Sequence, residues 1–241
     1  MSTLKATTIE PATGTNVTLG TTGDTVALPG NTLVLDTWKD SGGNTLFTSD
    51  GSGTVSNVNA GLAGAGPVLI QSQTASGSSS IAFTSGLDST YDRYMFVFVS
   101  INPASDAYEF QFQGSTNGGS SYGVNITSTA FRANHEEGGG GGTLSYATGR
   151  DLANSTSYQS IGMNVGNGAD ESVSGVLNLF SPSSTTYVKQ FYSTSNQYWN
   201  NNSSGELFIG GYFNSTSAIN AIDFKMSSGN FDGIIKLYGV K

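Results

Sequence analysis

The sequence contains no cysteine, which excludes disulfides, thiolate nucleophiles and cysteine-ligated metals. It has one histidine, His135, so a multi-histidine metal centre is excluded and at most one Ser-His-Asp arrangement remains. Charge is scarce: Asp, Glu, Lys and Arg make up 11% of the chain, against about a quarter in an ordinary soluble domain. The nine Lys and Arg are scattered and the formal net charge is −8. Phosphate backbones and anionic membrane surfaces are bound by clustered basic residues, so neither is an expected partner. The longest apolar run, Tyr94-Met95-Phe96-Val97-Phe98-Val99, is too short to cross a bilayer. The first residues carry no apolar segment of the signal-peptide kind, so synthesis in a cytoplasm is expected.

What takes the place of charge is Ser, Thr, Asn and 33 Gly, a composition that favours strands and turns over helices. Residues 91–113 show it best. The first half is β-branched and aromatic, as in a strand buried on both faces. In the second half Tyr108, Phe110 and Phe112 alternate with Glu109, Gln111 and Gln113, the period of a half-buried strand. Asn102-Pro103 between them has turn chemistry, which predicts a β-hairpin.

Residues 1–60 hold small apolar groups (Val17 and Leu19, Val26 and Leu28, residues 33–35, Leu46 and Phe47, Val55 and Val58) separated by Gly-, Asn- and Asp-rich turns. Trp38 and Phe47 are the only large aromatics there. One copy of such a segment buries too little apolar surface to offset its conformational entropy. An intertwined stem or docking foot is expected, with a floppy leader as the alternative. Small, unpatterned residues at 61–66 read as a linker. Residues 67–241 then show about ten short strands, at 67–74, 81–83, the hairpin, 122–131, 143–146, 158–165, 172–180, 186–193, 206–213, 218–226 and 233–238. The fold class is therefore all-β: a short-stranded amino-terminal segment, then an antiparallel sandwich, most naturally a jelly roll.

Few residues suggest chemistry. His135 stands beside Glu136, Glu137 and five consecutive glycines, 138–142, and reads as a solvated loop tip. Acidic pairs at Glu136/Glu137, Asp170/Glu171 and Asp88/Asp92 are available for glycoside hydrolysis, but pairs of this kind arise by chance among 17 acids. The pentaglycine precedes no Lys-Ser/Thr and no helix, so it is no phosphate cradle. Asp40–Asn44 and Asp50–Gly53 offer oxygens to a structural calcium ion, though neither completes an EF-hand pattern and turn formation explains both. No cofactor is expected. The best binding candidate is Tyr198, Trp199, Asn200, Asn201 and Asn202, read as a polar loop over 196–204. Aromatic faces stack on sugars while amides bond hydroxyls. The competing explanation is that Trp199 fills the core or a subunit contact.

Several segments have a familiar look. Asn16-Val17-Thr18-Leu19-Gly20, Gly23-Asp24-Thr25 and residues 44–53 resemble the amino-terminal part of structural appendage proteins of tailed bacteriophages, many from marine hosts. Phe110-Gln111-Phe112-Gln113 with Ser115-Thr116-Asn117-Gly118-Gly119, residues 180–185, residues 217–230 and residues 233–239 are similar to them as well. These are strand-and-turn motifs, with no catalytic residues to carry over. The resemblance implies a virion protein, usually trimeric, with an attachment segment at 1–60 and a projecting sandwich head, on tail or capsid. A homotrimeric fibre docked on other virion proteins and presenting loops to a host-surface glycan is the leading expectation. A capsid decoration protein is the alternative, and a glycan-degrading enzyme using Glu136 or Glu171 the remote one.

Overall fold

The structure is a computed structural model, and it describes residues 37–40, 42–49, 52, 55, 56, 58 and 66–241. The short strands expected at 17–19, 26–28 and 33–35, the turn acid Asp50 and nearly all of the 61–66 linker lie outside the described residues. The chain divides into two compact units, 1–64 and 65–241. No helix occurs among the described residues.

In the first unit β1 (Thr37–Lys39), β2 (Thr45–Ser49) and β3 (Val55–Ser56) form an antiparallel three-stranded sheet. Trp38 is the cross-strand partner of Phe47, and their rings stack with centroids 5.8 Å apart. The turn between β1 and β2 is closed by Asp40. Its carboxylate accepts the Gly42 and Asn44 amides at 2.9 Å each, and the Asn44 side-chain amide at 3.1 Å. This is the behaviour of a turn-forming aspartate, and these hydrogen bonds hold the carboxyl below its ordinary range, the Asn44 side chain contributing most. None of the described residues of this unit is buried.

The second unit is an antiparallel sandwich of twelve strands. An eight-stranded layer runs β4 (Val68–Ser78), β15 (Phe231–Val240), β6 (Arg93–Pro103), β11 (Val173–Phe180), β12 (Lys189–Trp199), β13 (Ser203–Phe213), β8 (Ile126–Glu136), β9 (Thr143–Tyr146). A four-stranded layer runs β10 (Gln159–Val165), β7 (Tyr108–Ser115), β14 (Ala221–Met226), β5 (Ile81–Phe83). The layers meet at one corner. There β12 outruns β11, whose last partner on it is Gln197, and Trp199 pairs with Val165 of β10 instead. Two backbone bonds flank that pair: the Gly166 amide donates to Tyr198 and the Asn200 amide to Asn164, both at 3.1 Å.

Between the layers lies an aromatic core. Phe110 and Phe112 of β7 and Phe224 of β14 face Phe96 and Phe98 of β6, Phe191 of β12 and Phe213 of β13, with ring centroids 5.1–6.0 Å apart across the interface. All but Phe191 are wholly inaccessible, and Phe191 is nearly so.

The expected hairpin over 91–113 does not form. Both strands exist, but β6 pairs with β11 and β15 while β7 pairs with β10 and β14. Residues 104–107 are an arch from one layer to the other, with Ala107 at φ 63°. The reason is burial. Tyr94, Phe96 and Phe98 share one face of β6, and Phe110 and Phe112 one face of β7. The arch turns these faces toward each other, so that Phe98 meets Phe110 at 5.3 Å. β6 is also buried on one face only: Met95 and Val97 are half-exposed and Val99 is exposed.

Other strands keep their expected places but not their ends. β8 starts four residues late and runs to Glu136, so His135 is a paired strand residue opposite Ser204 rather than part of a loop tip. β12 runs on to Trp199 and β13 begins at Ser203, which makes most of the expected loop at 196–204 a tight hairpin.

On the outer face of the small layer Asp223 is buried beneath Tyr158, whose hydroxyl donates to its Oδ2 at 2.9 Å. Lys225 lies over the same ring, its Nζ 4.1 Å from the centroid. Burial raises the Asp223 carboxyl, and hydrogen bonds from Tyr158 and Ser80 with the Lys225 charge only partly oppose it. The raised value means that the folded state takes up this proton before the unfolded state does as pH falls. Relative to Asp223→Asn, wild type therefore gains stability between neutral pH and pH 4. Urea titrations of both proteins across that range check it, and a difference that stays constant or moves the other way would refute it.

Candidate functional site

The β12–β13 hairpin determines where the proposed binding residues point. Successive side chains of a strand face opposite ways. Tyr198 therefore lies on the outer face of the eight-stranded layer and Trp199 on the inner one, only 5% exposed. Its indole lies across Gly205, where any side chain would collide with the ring. The two aromatics cannot form one platform. The sugar-stacking role expected of Trp199 gives way to the competing explanation, a core residue.

Asn200, Asn201 and Asn202 form the turn. Asn202 takes φ 59°, a left-handed conformation that asparagine tolerates well, and its amide donates to the Trp199 carbonyl at 3.0 Å. The Glu137 amide donates to the Asn202 carbonyl at 2.9 Å. This ties the hairpin to the β8–β9 loop. All three asparagine side chains are exposed, and Asn202 borders a concavity.

That concavity is a groove of about 350 Å³ at the ends of β8, β12 and β13, formed by His135, Glu136, Glu137, Asn196, Tyr198 and Ser204 together with the turn. A shallower extension reaches Glu206 and Asn134. Antiparallel pairing of β8 with β13 and β13 with β12 sets His135, Ser204 and Tyr198 side by side in one row. The Tyr198 hydroxyl donates to Glu137 Oε2 at 2.8 Å, and the Asn196 amide to Ser204 Oγ at 3.2 Å. His135 Nδ1 lies 2.9 Å from the Glu136 carbonyl oxygen, an acceptor, so Nδ1 carries the proton. The Tyr198 phenol is raised above its ordinary value by the bond to Glu137 first, then by burial, then by the charges of Glu137, Asp170 and Glu171. The groove is thus rich in hydroxyl, amide and carboxylate oxygens under a negative field. It suits a polyhydroxylated ligand that is neutral or bears an amine, and it repels anions.

One member of each acidic pair is drawn into local structure. Glu171 Oε2 accepts the Gly168 amide at 2.7 Å. Asp88 Oδ1 accepts the Tyr94 hydroxyl and the Thr90 amide, each at 2.8 Å. Glu136 and Glu137 follow one another at the end of β8, where Glu137 is held by Tyr198. Among the described residues no three His, Asp or Glu gather as metal ligands do.

Of the residues singled out from the sequence, Tyr198 and Asn202 line this groove, and the fold adds Asn196, Ser204 and the link from Tyr198 to Glu137, 61 residues away. The signal was present in the lengths of the two hairpins, since fixing the β12–β13 and β8–β9 turns fixes the register that brings these residues together. The chain matches no family model, no curated protein and no solved structure.

The opposite placement of the two aromatics has a measurable consequence. Trp199→Ala is expected to cost about 3–5 kcal/mol, as for other large buried aromatics. Tyr198→Ala, losing one exposed hydrogen bond to Glu137, should cost far less. Denaturant unfolding of the two variants checks the order, and equal costs would contradict the assigned faces.

Proposed function

We propose that the chain is a virion structural protein of a tailed bacteriophage: a homotrimeric fibre or appendage whose first 60 residues dock on other virion proteins and whose sandwich presents a groove to host-surface glycan. The observation that carries this reading is the three-stranded sheet of the first unit. Its strands have aromatic and β-branched residues, Trp38 remains 42% exposed and Val55 52%, and none of its described residues is buried. A small sheet whose described residues are all unburied is one that contacts with other chains would stabilise. The sandwich, by contrast, has a complete core of its own. The groove at the ends of β8, β12 and β13 offers hydroxyl and amide groups beside Tyr198, a surface fitted to weak sugar contacts that trimer valency multiplies. The appendage-like motifs in the sequence point the same way.

A second reading, capsid decoration, is favoured by a different surface. On the outer face of β8, Phe131 stacks on its cross-strand partner Phe208 at 4.6 Å while remaining 46% exposed. Tyr146 and Leu144 beside it on β9 are exposed too. Apolar rings displayed together suit contact with another protein better than with water.

Gold-labelled antibody or cryo-electron microscopy of particles would distinguish the two, since tail density supports the fibre and shell density the decoration protein. Deleting residues 1–60 should leave a folded sandwich that no longer joins particles; its incorporation would overturn the docking role. Particles carrying Tyr198→Ala should adsorb more weakly to cells. Undiminished adsorption would refute the groove as the receptor site.

A further inference from the structure

Two of the chain's three arginines meet at one cavity. Arg132 lies on β8 and Arg150 in the segment after β9, and with Tyr146, Thr148, Met163 and Asn164 they enclose about 240 Å³. Arg132 lies over Trp199 in a cation–π contact, its guanidinium carbon 5.5 Å from the ring centroid, and that ring is itself seated on Gly205. A guanidinium on an indole keeps its plane while its N–H edge stays available. Arg150 Nη1 is held at 2.9 Å by Glu109 Oε1, the one salt bridge among the described residues. Asp151, the other acid nearby, accepts the Tyr146 hydroxyl at 2.8 Å.

The hydrogen-bond account of this region does not close. Nε of Arg132 and Nε of Arg150 are both buried without an acceptor. On the inward face of the neighbouring β12–β13 pair, Gln197 Nε2, Trp199 Nε1 and Ser203 Oγ are in the same condition. Five of the six buried side-chain polar atoms without a partner among the described residues therefore gather around one corner of the sandwich. Buried N–H groups in folded proteins nearly always find an acceptor, and guanidinium N–H groups are the costliest to leave unmatched. Two guanidinium charges face one carboxylate engaged with them, that of Glu109. Of the two guanidinium groups only that of Arg150 has a carboxylate partner, which leaves Arg132 unpaired in a protein whose net charge is −8.

We propose that this cavity binds a monoanionic oxyanion, specifically a carboxylate, between Arg132 and Arg150. Charge selects the class: the one guanidinium without a carboxylate partner matches a monoanion, whereas a phosphate dianion would exceed it beside Glu109. Shape agrees, because a planar carboxylate accepts two parallel N–H groups from a guanidinium. Size limits the ligand, since the cavity is smaller than the roughly 300–1,000 Å³ of drug-sized sites. It takes a small carboxylate or a single acidic sugar. The site is separate from the acidic groove around Tyr198 and does not depend on the function proposed above.

The test is calorimetric titration of the full chain at constant ionic strength with sodium glucuronate, sodium acetate, sodium phosphate and, as the neutral control, glucose. Glucuronate should bind on the order of millimolar or tighter, and glucose should not bind at this site. Arg132→Lys, which keeps the charge and loses the fork, should weaken glucuronate by roughly tenfold or more, with the unliganded melting temperature little changed. Glucuronate binding more tightly than acetate identifies an acidic sugar as the source, and equal affinities identify a free carboxylate; both uphold the site. Glucose binding as well as glucuronate, phosphate binding more tightly than either carboxylate, or no carboxylate binding at tens of millimolar would each overturn it. Undiminished affinity in Arg132→Lys would do so as well. If Arg132→Lys does not fold, Arg150→Lys and the comparison of charged with neutral probes on wild type decide.

Discussion

A strand has two edges, and the way β12 uses them sets the plan of the sandwich. One edge belongs to β13 along its whole length. The other belongs to β11 as far as Gln197 and to β10 at Trp199. Because β12 outlasts β11, the small layer is hydrogen-bonded to the large one at this corner and the aromatic core is closed off there. The same extension lines up Asn196 and Tyr198 on the outside, over the groove, and buries Trp199 on the inside, under Arg132. The groove and the arginine cavity are two sides of one corner.

Much of the fold was readable because strand periodicity is a local signal. Phe110 and Phe112 alternating with Gln111 and Gln113 identified a strand and its buried face, and β5, β9, β10 and β11 appeared where their β-branched and aromatic residues put them. What could not be read was pairing. Nothing in Asn102–Asp106 says whether the chain turns within a sheet or crosses between two, because both use the same turn residues; only the buried faces of β6 and β7, matched across the interior, decide it. The ends of β12 failed for a related reason. Asn196 to Asn202 has loop composition, but neighbours on both edges hold Asn196–Trp199 extended, so tertiary pairing overrode local propensity. That error carried directly into the candidate site, since residues 198 and 199 share a surface in a loop and never in a strand.

The shortage of charge is reflected in how polar groups are satisfied. With so few ion pairs available, the loops are tied down by neutral or singly charged hydrogen bonds: Asn117 with Ser115 and Ser121, Asn102 with the carbonyls of Gly168 and Glu171, Gln113 with those of Thr156 and Ser157. Even the buried Lys189 donates to a carbonyl, that of Ser215 at 3.1 Å. Bonds of this kind are screened little by salt, so the sandwich should hold its loops over a wide range of ionic strength. Against that background the Arg132–Arg150 pair is a local exception.

The position of β15 has a kinetic side. This strand, residues 231–240, lies between β4 and β6 and supplies the partners of both. During synthesis, β4 and β6 therefore emerge with facing edges that have nothing to bond until some 130 further residues have been added, a separation read from Pro103 to Phe231. The large layer cannot be assembled progressively from its amino-terminal side. It must wait, with β6 the most apolar strand in the chain, for a late insertion that closes many long-range contacts at once. Such topologies fold slowly and expose open strand edges in the interval. A ribosome stalled before Phe231 would hold a chain with two adhesive edges, so completion of this layer waits on the delivery of β15.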